Sequence, residues 1–200
     1  MTKQEAQVQV AVLKRLLRGE PVDPASLSAA TGFTRAAVGA ALATLHSAGV
    51  LYLADGNVIA AYPFSAVPTL HRLRIGRSVT YANCALDALA VPSMADGRVD
   101  IDSECAQCGT PITVQMIGEH VLTVQPEAPV LFSTAHDGDN SGPAVLTRCP
   151  HINFFCTAEH ADRWRASHPE QQGTVLTLLQ GIARARALFD RVISSVGGAR

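Results

Sequence analysis

Apolar residues recur at helical spacing near the start of the chain and predict three helices. The first helix is amphipathic and ends near Gly19. Asp23, an N-cap residue followed by proline, starts a second short helix that runs to about Ala30. Thr34 caps a third helix, and Gly49 ends it.

A hairpin signal follows these helices. Asp55 and Gly56 lie between two short apolar runs, at residues 51–53 and 58–61, and this pattern predicts a β-hairpin. Three helices, a glycine turn and a hairpin follow the plan of a winged helix-turn-helix. We therefore predict a helix-turn-helix-like helical domain over residues 1–62.

The third predicted helix has few side chains suited to DNA. Arg35 is its single arginine, and residues 34–47 are otherwise mostly alanine, glycine and apolar residues. Contacts to phosphates and base edges require basic or amide side chains. The sequence favours a structural scaffold over a DNA reader, and we expect no DNA partner.

The second part of the chain alternates apolar and polar residues, as half-buried strands do. Residues 63–68 have the composition of a linker, and a mixed β-sheet core with flanking helices is predicted over residues 69–200. Predicted strands lie at 71–75, 78–81, 98–103, 111–116, 120–124, 130–133 and 152–155. The fold class expected for the whole chain is α+β.

Two helices and a loop complete this prediction. Residues 135–143 form a polar segment with no pattern of its own. Thr157 caps a helix that runs to about Ser167. Gly173 precedes a long last helix, whose apolar face begins at Val175.

Residues 81–92 combine a short predicted helix with reactive side chains. Asn83 can act as the N-cap and Pro92 ends the run, which places Cys84 in the first turn. Unpaired N–H groups and the helix dipole favour a thiolate there. Asp87 shares the face of Cys84, so a nucleophile and a proton donor lie together. The alternative is a buried packing cysteine with an aspartate that complements the dipole.

Composition and charge narrow the function classes. The 200 residues are 48% hydrophobic, which suffices for a sizeable core, and the net charge of -1 argues against a nucleic-acid binder driven by bulk electrostatics. No targeting segment or membrane-spanning run is recognisable, so we expect a cytoplasmic protein without a membrane partner. Five cysteines without an export signal favour thiol chemistry or soft-metal binding over disulfides.

One cysteine pair has the spacing of a zinc knuckle. Cys105 and Cys108 form a C-x-x-C-G motif and, with Cys84 and Cys149, would complete a four-thiolate zinc site. Cys84 and Cys149 are isolated in the sequence, so this signal is weaker than two C-x-x-C pairs. A closed four-cysteine site would also leave no thiolate free for catalysis.

Three segments together resemble the alkylmercury lyases (organomercurial lyases). They are N-C-A-L-D at 83–87, the strand that leads to Cys105, and R-C-P-H-I-N-F-F at 148–155, all after a helix-turn-helix region. The resemblance covers nearly the whole chain. It implies a helical N-terminal domain joined to a mixed sheet core, and cleavage of the carbon–mercury bond of organomercurials.

The resemblance also implies roles for individual residues. Cys84, Asp87 and Cys149 would be the catalytic and mercury-binding residues, and Cys105 a mainly structural cysteine. Mercury is soft and prefers sulfur ligands, so two thiolates would bind it while the aspartate delivers a proton to carbon. The products would be a hydrocarbon and Hg(II). No organic cofactor is expected, and cytosolic thiols or a mercuric reductase would remove the metal.

Three positions depart from the family pattern. Asn83 stands where an aromatic residue is expected, Cys108 is additional, and Pro150 replaces an expected second cysteine. These departures bear on substrate range and product handling more than on the reaction. With the lyase favoured, we expect Cys105 and Cys108 to be structural thiols without bound zinc. We expect Cys156 to be a packing residue.

Two other functions fit parts of the sequence. One is a metal-responsive winged-helix transcriptional regulator with a thiolate metal site, which the near-neutral charge and the poor recognition helix disfavour. The other is a non-catalytic binder of soft metals built on the lyase fold. Release of a hydrocarbon distinguishes the lyase from both.

Overall fold

The computed structural model describes residues 1–135 and 142–197, which form an α+β fold. The helices of this part are α1 (Lys3–Leu17), α2 (Pro24–Thr31), α3 (Arg35–Ser47), α4 (Ala85–Ala90), α5 (Ala144–Thr147), α6 (Ala158–Ser167) and α7 (Leu178–Gly197). Its strands are β1 (Leu51–Ala54), β2 (Asn57–Ala61), β3 (Phe64–Ser65), β4 (His71–Ile75), β5 (Ser78–Ala82), β6 (Arg98–Glu104), β7 (Pro111–Ile117), β8 (His120–Gln125), β9 (Val130–Thr134), β10 (Phe154–Phe155) and β11 (Gly173–Thr177). Short 3-10 helices lie at Val91–Ser93 and Cys149–His151.

The first three helices begin where polar side chains cap them. Asp23 accepts hydrogen bonds from two backbone N–H groups of α2, and Thr34 accepts one from α3, so both predicted caps are confirmed. The helices pack on each other through their apolar faces. The buried members include Val8, Val12, Leu13, Leu27, Val38, Leu42 and Leu45.

One large antiparallel sheet runs from the N-terminal part into the core. Its strand order is β1-β2-β3-β5-β4-β6-β7-β8. β1 and β2 form the predicted hairpin. The segment 63–68, predicted to be a linker, instead contains β3, and Phe64 is fully buried there. Because β3 pairs with both β2 and β5, it joins the hairpin to the core strands. The division at residues 62 and 69 stays a prediction.

A second, three-stranded sheet has the order β10-β9-β11 and is also antiparallel. The prediction of a mixed sheet over residues 69–200 is therefore wrong, because the strands of both sheets pair antiparallel throughout the described residues. The prediction that Val175 belongs to the last helix is wrong, because residues 173–177 pair with the buried strand β9 and α7 begins only at Leu178. Gly173 fits this pairing, since a Cβ atom there would lie 2.3 Å from the carbonyl oxygen of Ser133. β10 is shorter than predicted and begins at Phe154 instead of Ile152.

The polar segment predicted at 135–143 lies mostly outside the described residues, which end at 135 and resume at 142. The short helix α5 follows it and was not predicted. Among residues 1–135 and 142–197, no helix is long and apolar enough to cross a lipid bilayer.

Helix α4 is buried along its whole length. It packs against α7 and against β4 and β5 of the large sheet. Gly181 of α7 permits this close approach, because a Cβ atom there would lie 2.5 Å from a side-chain carbon of Leu131 and 3.0 Å from one of Leu89. Helix α4 is therefore held in the interior, between the large sheet and α7.

Candidate active site

Cys84, Asp87 and Cys149 come together in the fold. One ligand atom from each residue lies within 4.8 Å of those of the other two. The side chains are buried, with exposed fractions of 2% for Cys84, 4% for Asp87 and 5% for Cys149. The structure thus brings the three residues singled out in the sequence into one cluster, although Cys149 lies far along the chain from the other two.

The start of α4 orients the first cysteine. β5 ends at Ala82 and α4 begins at Ala85, and Cys84 is the N-cap with an extended backbone. Its Sγ accepts a hydrogen bond from the backbone N–H of Asp87 at 3.4 Å. The prediction that Asn83 is the N-cap is therefore wrong by one residue. Because the sulfur itself occupies the cap position, it lies directly beside Asp87.

Asn83 links the site to strand β3 instead of capping the helix. Its Nδ2 donates to the carbonyl oxygens of Pro63 and Phe64, at 3.2 and 3.1 Å, and to Oδ2 of Asp87 at 3.1 Å. The Asp87 carboxyl group is therefore held by a neutral amide on one side and faces Cys84 on the other.

A tight turn positions the second cysteine. Cys149 begins a 3-10 turn, and the backbone N–H of Ile152 donates to its carbonyl oxygen at 3.1 Å. The carbonyl oxygen of Ile152 in turn accepts from the backbone N–H of Ala85 at 3.0 Å. This bond joins the turn to the first residue of α4, so both cysteines are fixed by the same short stretch of backbone.

Burial dominates the protonation of the cluster. It raises the pKa of Asp87 to about 7, against the lowering effects of the Asn83 and Cys84 hydrogen bonds and of the more distant Arg148. Burial also raises the pKa of Cys84 well above its ordinary value, and the neighbouring Cys149 and Asp87 add to this. The prediction of a Cys84 thiolate is therefore corrected, because burial outweighs the lowering effect of the hydrogen bond from the Asp87 backbone and favours the thiol.

The three residues line a cavity of about 270 Å³. Tyr62 also lines it, and its hydroxyl oxygen accepts a hydrogen bond from the backbone N–H of Val145 at 2.9 Å. Burial raises the pKa of Tyr62 to about 12, so its phenol is neutral at physiological pH. The other lining residues are Gly49, Leu86, Ser133, Thr134, Ala144, Arg148, Ile152, Arg184, Leu188 and Phe189. No signal in the sequence identified these residues as the wall of a cavity.

Four further potential metal ligands form a separate cluster. They are Cys105, Cys108, Cys156 and His160, whose ligand atoms all lie within 4.8 Å of one another. The four-cysteine site considered for the knuckle is thus wrong, because Cys84 and Cys149 cluster with Asp87 instead. Cys156, which was expected to be a packing residue, belongs to this cluster. The spacing of Cys156 and His160, four residues apart, is the sequence signal that could have identified this cluster.

Comparisons with known proteins agree on one family. Residues 64–190 match the family model of the alkylmercury lyases (MerB). An alkylmercury lyase of Staphylococcus epidermidis is 30% identical over 159 residues, which cover 80% of this chain and 71% of that protein. One of Pseudomonas putida is 29% identical over 160 residues, 80% of this chain and 73% of that protein.

A solved structure gives the same result in three dimensions. The crystal structure of the mercury-bound form of MerB2 superposes on this fold with a TM-score of 0.79 at 26% sequence identity. The match covers 95% of this chain and 92% of that one. Cys84, Asp87 and Cys149 all lie within residues 64–190, the range that the family model matches.

Two thiols and a carboxyl group whose pKa burial raises to about 7 lie together on this cavity, and side chains of these types can offer two sulfur ligands to a soft metal and a proton beside them. The family model and the 30% identical relative together show that the chain belongs to the alkylmercury lyases. The resemblance noted in the sequence is confirmed.

Proposed function

We propose that the chain is an organomercurial lyase, which cleaves the carbon–mercury bond of alkyl- and aryl-mercury compounds by protonating the carbon. The observation that carries this proposal is the buried cluster of Cys84, Asp87 and Cys149 on one cavity. Membership of the alkylmercury lyase family supports the same reaction.

Binding begins with exchange of a thiol on mercury. An organomercury cation enters as the adduct of a small thiol, and Cys84 replaces that thiol on the metal. The incoming sulfur loses its proton, which leaves with the displaced thiol. The high pKa of the Cys84 thiol does not prevent this step, because a soft metal replaces the proton on a thiol that coordinates it.

Cys149 supplies the second sulfur. Its proton passes to the carboxylate of Asp87, which lies within 4.8 Å of both sulfur atoms. Mercury is then held by two thiolates and by the organic group. Charge donated by the two sulfurs makes the carbon bonded to mercury more basic.

Asp87 then acts as the general acid. It transfers its proton to the carbon, the carbon–mercury bond breaks, and the bonding electron pair remains with the carbon as a new C–H bond. The hydrocarbon leaves, and Hg(II) stays on Cys84 and Cys149. No oxidant or reductant takes part. The raised pKa of Asp87 supports this role, because an acid with a pKa near 7 can both accept and give up a proton at neutral pH.

The cavity wall suits an organic group beside the metal. Leu86, Ile152, Leu188 and Phe189 contribute apolar surface. Excluding water from this pocket strengthens the electrostatic effects of the thiolates on mercury. We propose that the organic group contacts this apolar wall while the metal faces the sulfurs.

The product is removed by other thiols. We propose that free cytosolic thiols exchange onto Hg(II), with transfer to a mercuric reductase as a further route, and that the protein acts in the cytoplasm without an organic cofactor. Thiol exchange is required because two thiolates hold Hg(II) tightly. Without added thiol the protein would therefore complete a single turnover.

We propose that α1, α2, α3 and the β1–β2 hairpin form a winged helix-turn-helix-like scaffold. Gly49, after α3, and Tyr62, after β2, both line the cavity. α1 also contacts α7 and β3. These contacts support a role in closing the site, and DNA recognition does not require them.

Product and metal measured in one sample test this proposal. The protein is incubated with phenylmercury and excess thiol, and benzene and bound mercury are both quantified. We expect benzene to form with repeated turnover, and neither Cys84→Ser nor Cys149→Ala to release it. Mercury retained with its phenyl group, and no benzene, would support a non-catalytic binder of soft metals instead.

A further inference from the structure

We propose that Cys105, Cys108, Cys156 and His160 bind one structural zinc ion, separate from the site of the lyase reaction. This proposal replaces the expectation that Cys105 and Cys108 carry no zinc, which assumed that a zinc ion would also take Cys84 and Cys149. The four residues form a cluster of three thiols and one imidazole, and all four ligand atoms lie within 4.8 Å of one another. None of them belongs to the Cys84, Asp87 and Cys149 cluster. A zinc ion here therefore leaves the lyase thiols available.

Two of the distances between the ligand atoms match the edges of a zinc tetrahedron, and a third is shorter. With Zn–S bonds of about 2.3 Å and Zn–N bonds of about 2.0 Å, sulfur atoms lie about 3.8 Å apart, and sulfur and nitrogen about 3.5 Å apart. Sγ of Cys108 lies 3.7 Å from Sγ of Cys156, and Sγ of Cys105 lies 3.6 Å from Nδ1 of His160. Sγ of Cys156 and Nδ1 of His160 are at a hydrogen-bond distance of 3.1 Å.

The first two ligands lie in the turn between β6 and β7. The backbone N–H of Gly109 donates to the carbonyl oxygen of Cys105 at 2.8 Å, and the backbone N–H of Cys105 donates to Thr110 at 2.9 Å. Gly109 has a φ of 72°, which a glycine adopts without strain. This tight turn directs the sulfurs of Cys105 and Cys108 to one side, as a zinc knuckle does.

The other two ligands lie at the start of α6. Thr157 is the N-cap of this helix and accepts a hydrogen bond from the backbone N–H of His160 at 3.2 Å. Cys156 precedes the cap, so its side chain and that of His160 meet on one side of the first turn. A knuckle from a hairpin and a second pair from a helix start is a ligand arrangement typical of zinc domains.

The chemistry of the four side chains favours zinc over a disulfide. Three cysteines and one histidine form a ligand set found in structural zinc sites, and four protein ligands leave no open position for catalysis. The sulfur atoms of Cys108 and Cys156 lie 3.7 Å apart, far from the ~2.05 Å of a disulfide bond. The hydroxyl of Thr110, 3.1 Å from Sγ of Cys108, can donate to a zinc-bound thiolate.

Burial also fits a structural ion. Cys105 is buried, Cys156 and His160 are partly buried, and Cys108 is exposed. The ligands therefore extend from the core to the surface, and an ion can enter from solvent without unfolding the sheet. The exposed side carries one thiol, which zinc would protect from oxidation.

A zinc ion here would fix the segment that carries Cys149. The backbone N–H of Ala106, inside the knuckle, donates to the carbonyl oxygen of Phe154 in β10 at 3.0 Å. β10 lies between Cys149 and Cys156 in the chain. The ion would thus join the β6–β7 turn to the end of β10, in the segment that follows Cys149.

Metal analysis of the full-length protein tests the proposal. The protein is purified without chelators and before contact with any mercurial, and zinc is measured by mass spectrometry. We expect one zinc per chain. After removal of the zinc, Co²⁺ should give the intense visible absorption of a tetrahedral thiolate site, with charge-transfer bands from sulfur.

Matched variants locate the ion. Cys156→Ser and His160→Ala should weaken zinc binding by at least about tenfold. His160→Cys should keep one zinc, because four cysteines are also a zinc ligand set. Cys84→Ser should keep one zinc as well, since Cys84 belongs to the other cluster.

Three results would overturn the proposal. The first is wild-type protein that contains no zinc and gives no tetrahedral Co²⁺ spectrum. The second is zinc that is lost from Cys84→Ser but retained by Cys156→Ser. The third is a Cys108–Cys156 disulfide in protein purified under reducing conditions. If the variants do not fold, X-ray absorption of the wild-type metal decides, with three sulfur ligands and one nitrogen expected. None of these readouts depends on lyase activity.

Discussion

The side-chain amide of Asn83 donates a hydrogen bond to the carboxyl group of Asp87 at 3.1 Å. Asn83 is the residue that stands where the family pattern leads one to expect an aromatic side chain. The bond stabilises the ionised carboxylate and so opposes burial, which is the larger influence on the pKa of Asp87. The departure therefore acts directly on the proposed proton donor.

Replacing Asn83 should change the protonation of Asp87. Asn83→Leu removes the amide donor, so we expect the pKa of the Asp87 carboxyl group to rise further above 7. Carboxyl-carbon NMR titration of wild type and variant measures this shift. An unchanged pKa together with a lower melting temperature would mean that Asn83 acts only through its bonds to the carbonyl groups of Pro63 and Phe64.

Asp87→Asn should separate cleavage from binding. The amide cannot supply the proton, so hydrocarbon release should fall by about 10²- to 10⁴-fold, while the two sulfurs still bind the organomercurial. The new side chain keeps an oxygen that can accept from Asn83. Benzene release and mercury binding are measured side by side, and equal losses of both would contradict a role limited to proton transfer.

The same variant should change how stability depends on pH. Burial raises the Asp87 pKa from 3.8 to about 7, so the folded state binds this proton more tightly than the unfolded state does. The stability of the fold is therefore highest, as far as Asp87 determines it, below about pH 4, and this stability is lost as the pH rises through 7. Asp87→Asn should therefore be more stable than wild type at about pH 8, by at most about 4 kcal/mol, and gain little at about pH 4. Denaturant unfolding at the two pH values measures the difference. A gain that does not depend on pH would contradict the raised pKa.

Both cysteines of the site should be necessary. Cys84→Ser and Cys149→Ala each remove a soft ligand from mercury, and we expect each to abolish cleavage. Both should leave the circular dichroism spectrum and the cooperative unfolding transition in place, because small side chains replace small side chains. Near-normal turnover by either variant would remove that cysteine from the active pair.

A buried histidine should give the fold a loss of stability in acid. His71 is fully enclosed with its Nδ1 2.9 Å from the hydroxyl of Ser103, and burial lowers its pKa from 6.5 to about 4. Its contribution to stability is therefore complete above about pH 6.5 and lost as the pH falls towards 4, by about 3 kcal/mol.

His71→Gln tests this contribution. The variant cannot gain a proton, so its unfolding free energy should fall less than that of wild type between about pH 7 and about pH 4.5. Urea unfolding at each pH gives both values. Equal losses in wild type and variant would assign the acid sensitivity to other groups.

Local signals in the sequence predicted much of the fold. The caps at Asp23 and Thr34 and the alternation in strands such as β6 depend on neighbouring residues, and all are found in the structure. β3 and β11 were not predicted, because their extended conformation depends on pairing with strands elsewhere in the chain. β3 fills the position between β2 and β5, and β11 pairs with the buried strand β9.

In the site, too, the sequence predicted what neighbouring residues determine and missed what distant segments determine. Cys84 and Asp87 share one turn, so their spacing predicted that they lie together. Cys149 joins them through contacts between distant segments, and only the family resemblance indicated it. Cys156 and His160 were missed because two ligands four residues apart are a weak signal until the fold places a knuckle beside them. The N-cap was misplaced because Asn83 uses its amide for β3 and Asp87.

Cleavage of phenylmercury in D₂O tests the central claim most directly. The proposed reaction adds one exchangeable proton, delivered by Asp87, to the carbon bonded to mercury. Wild-type protein with excess thiol should release benzene that carries a single deuterium, and Hg(II) should remain on the protein or pass to the thiol. Phenylmercury that stays intact on the two cysteines, or benzene without deuterium, would contradict cleavage by protonation at this site.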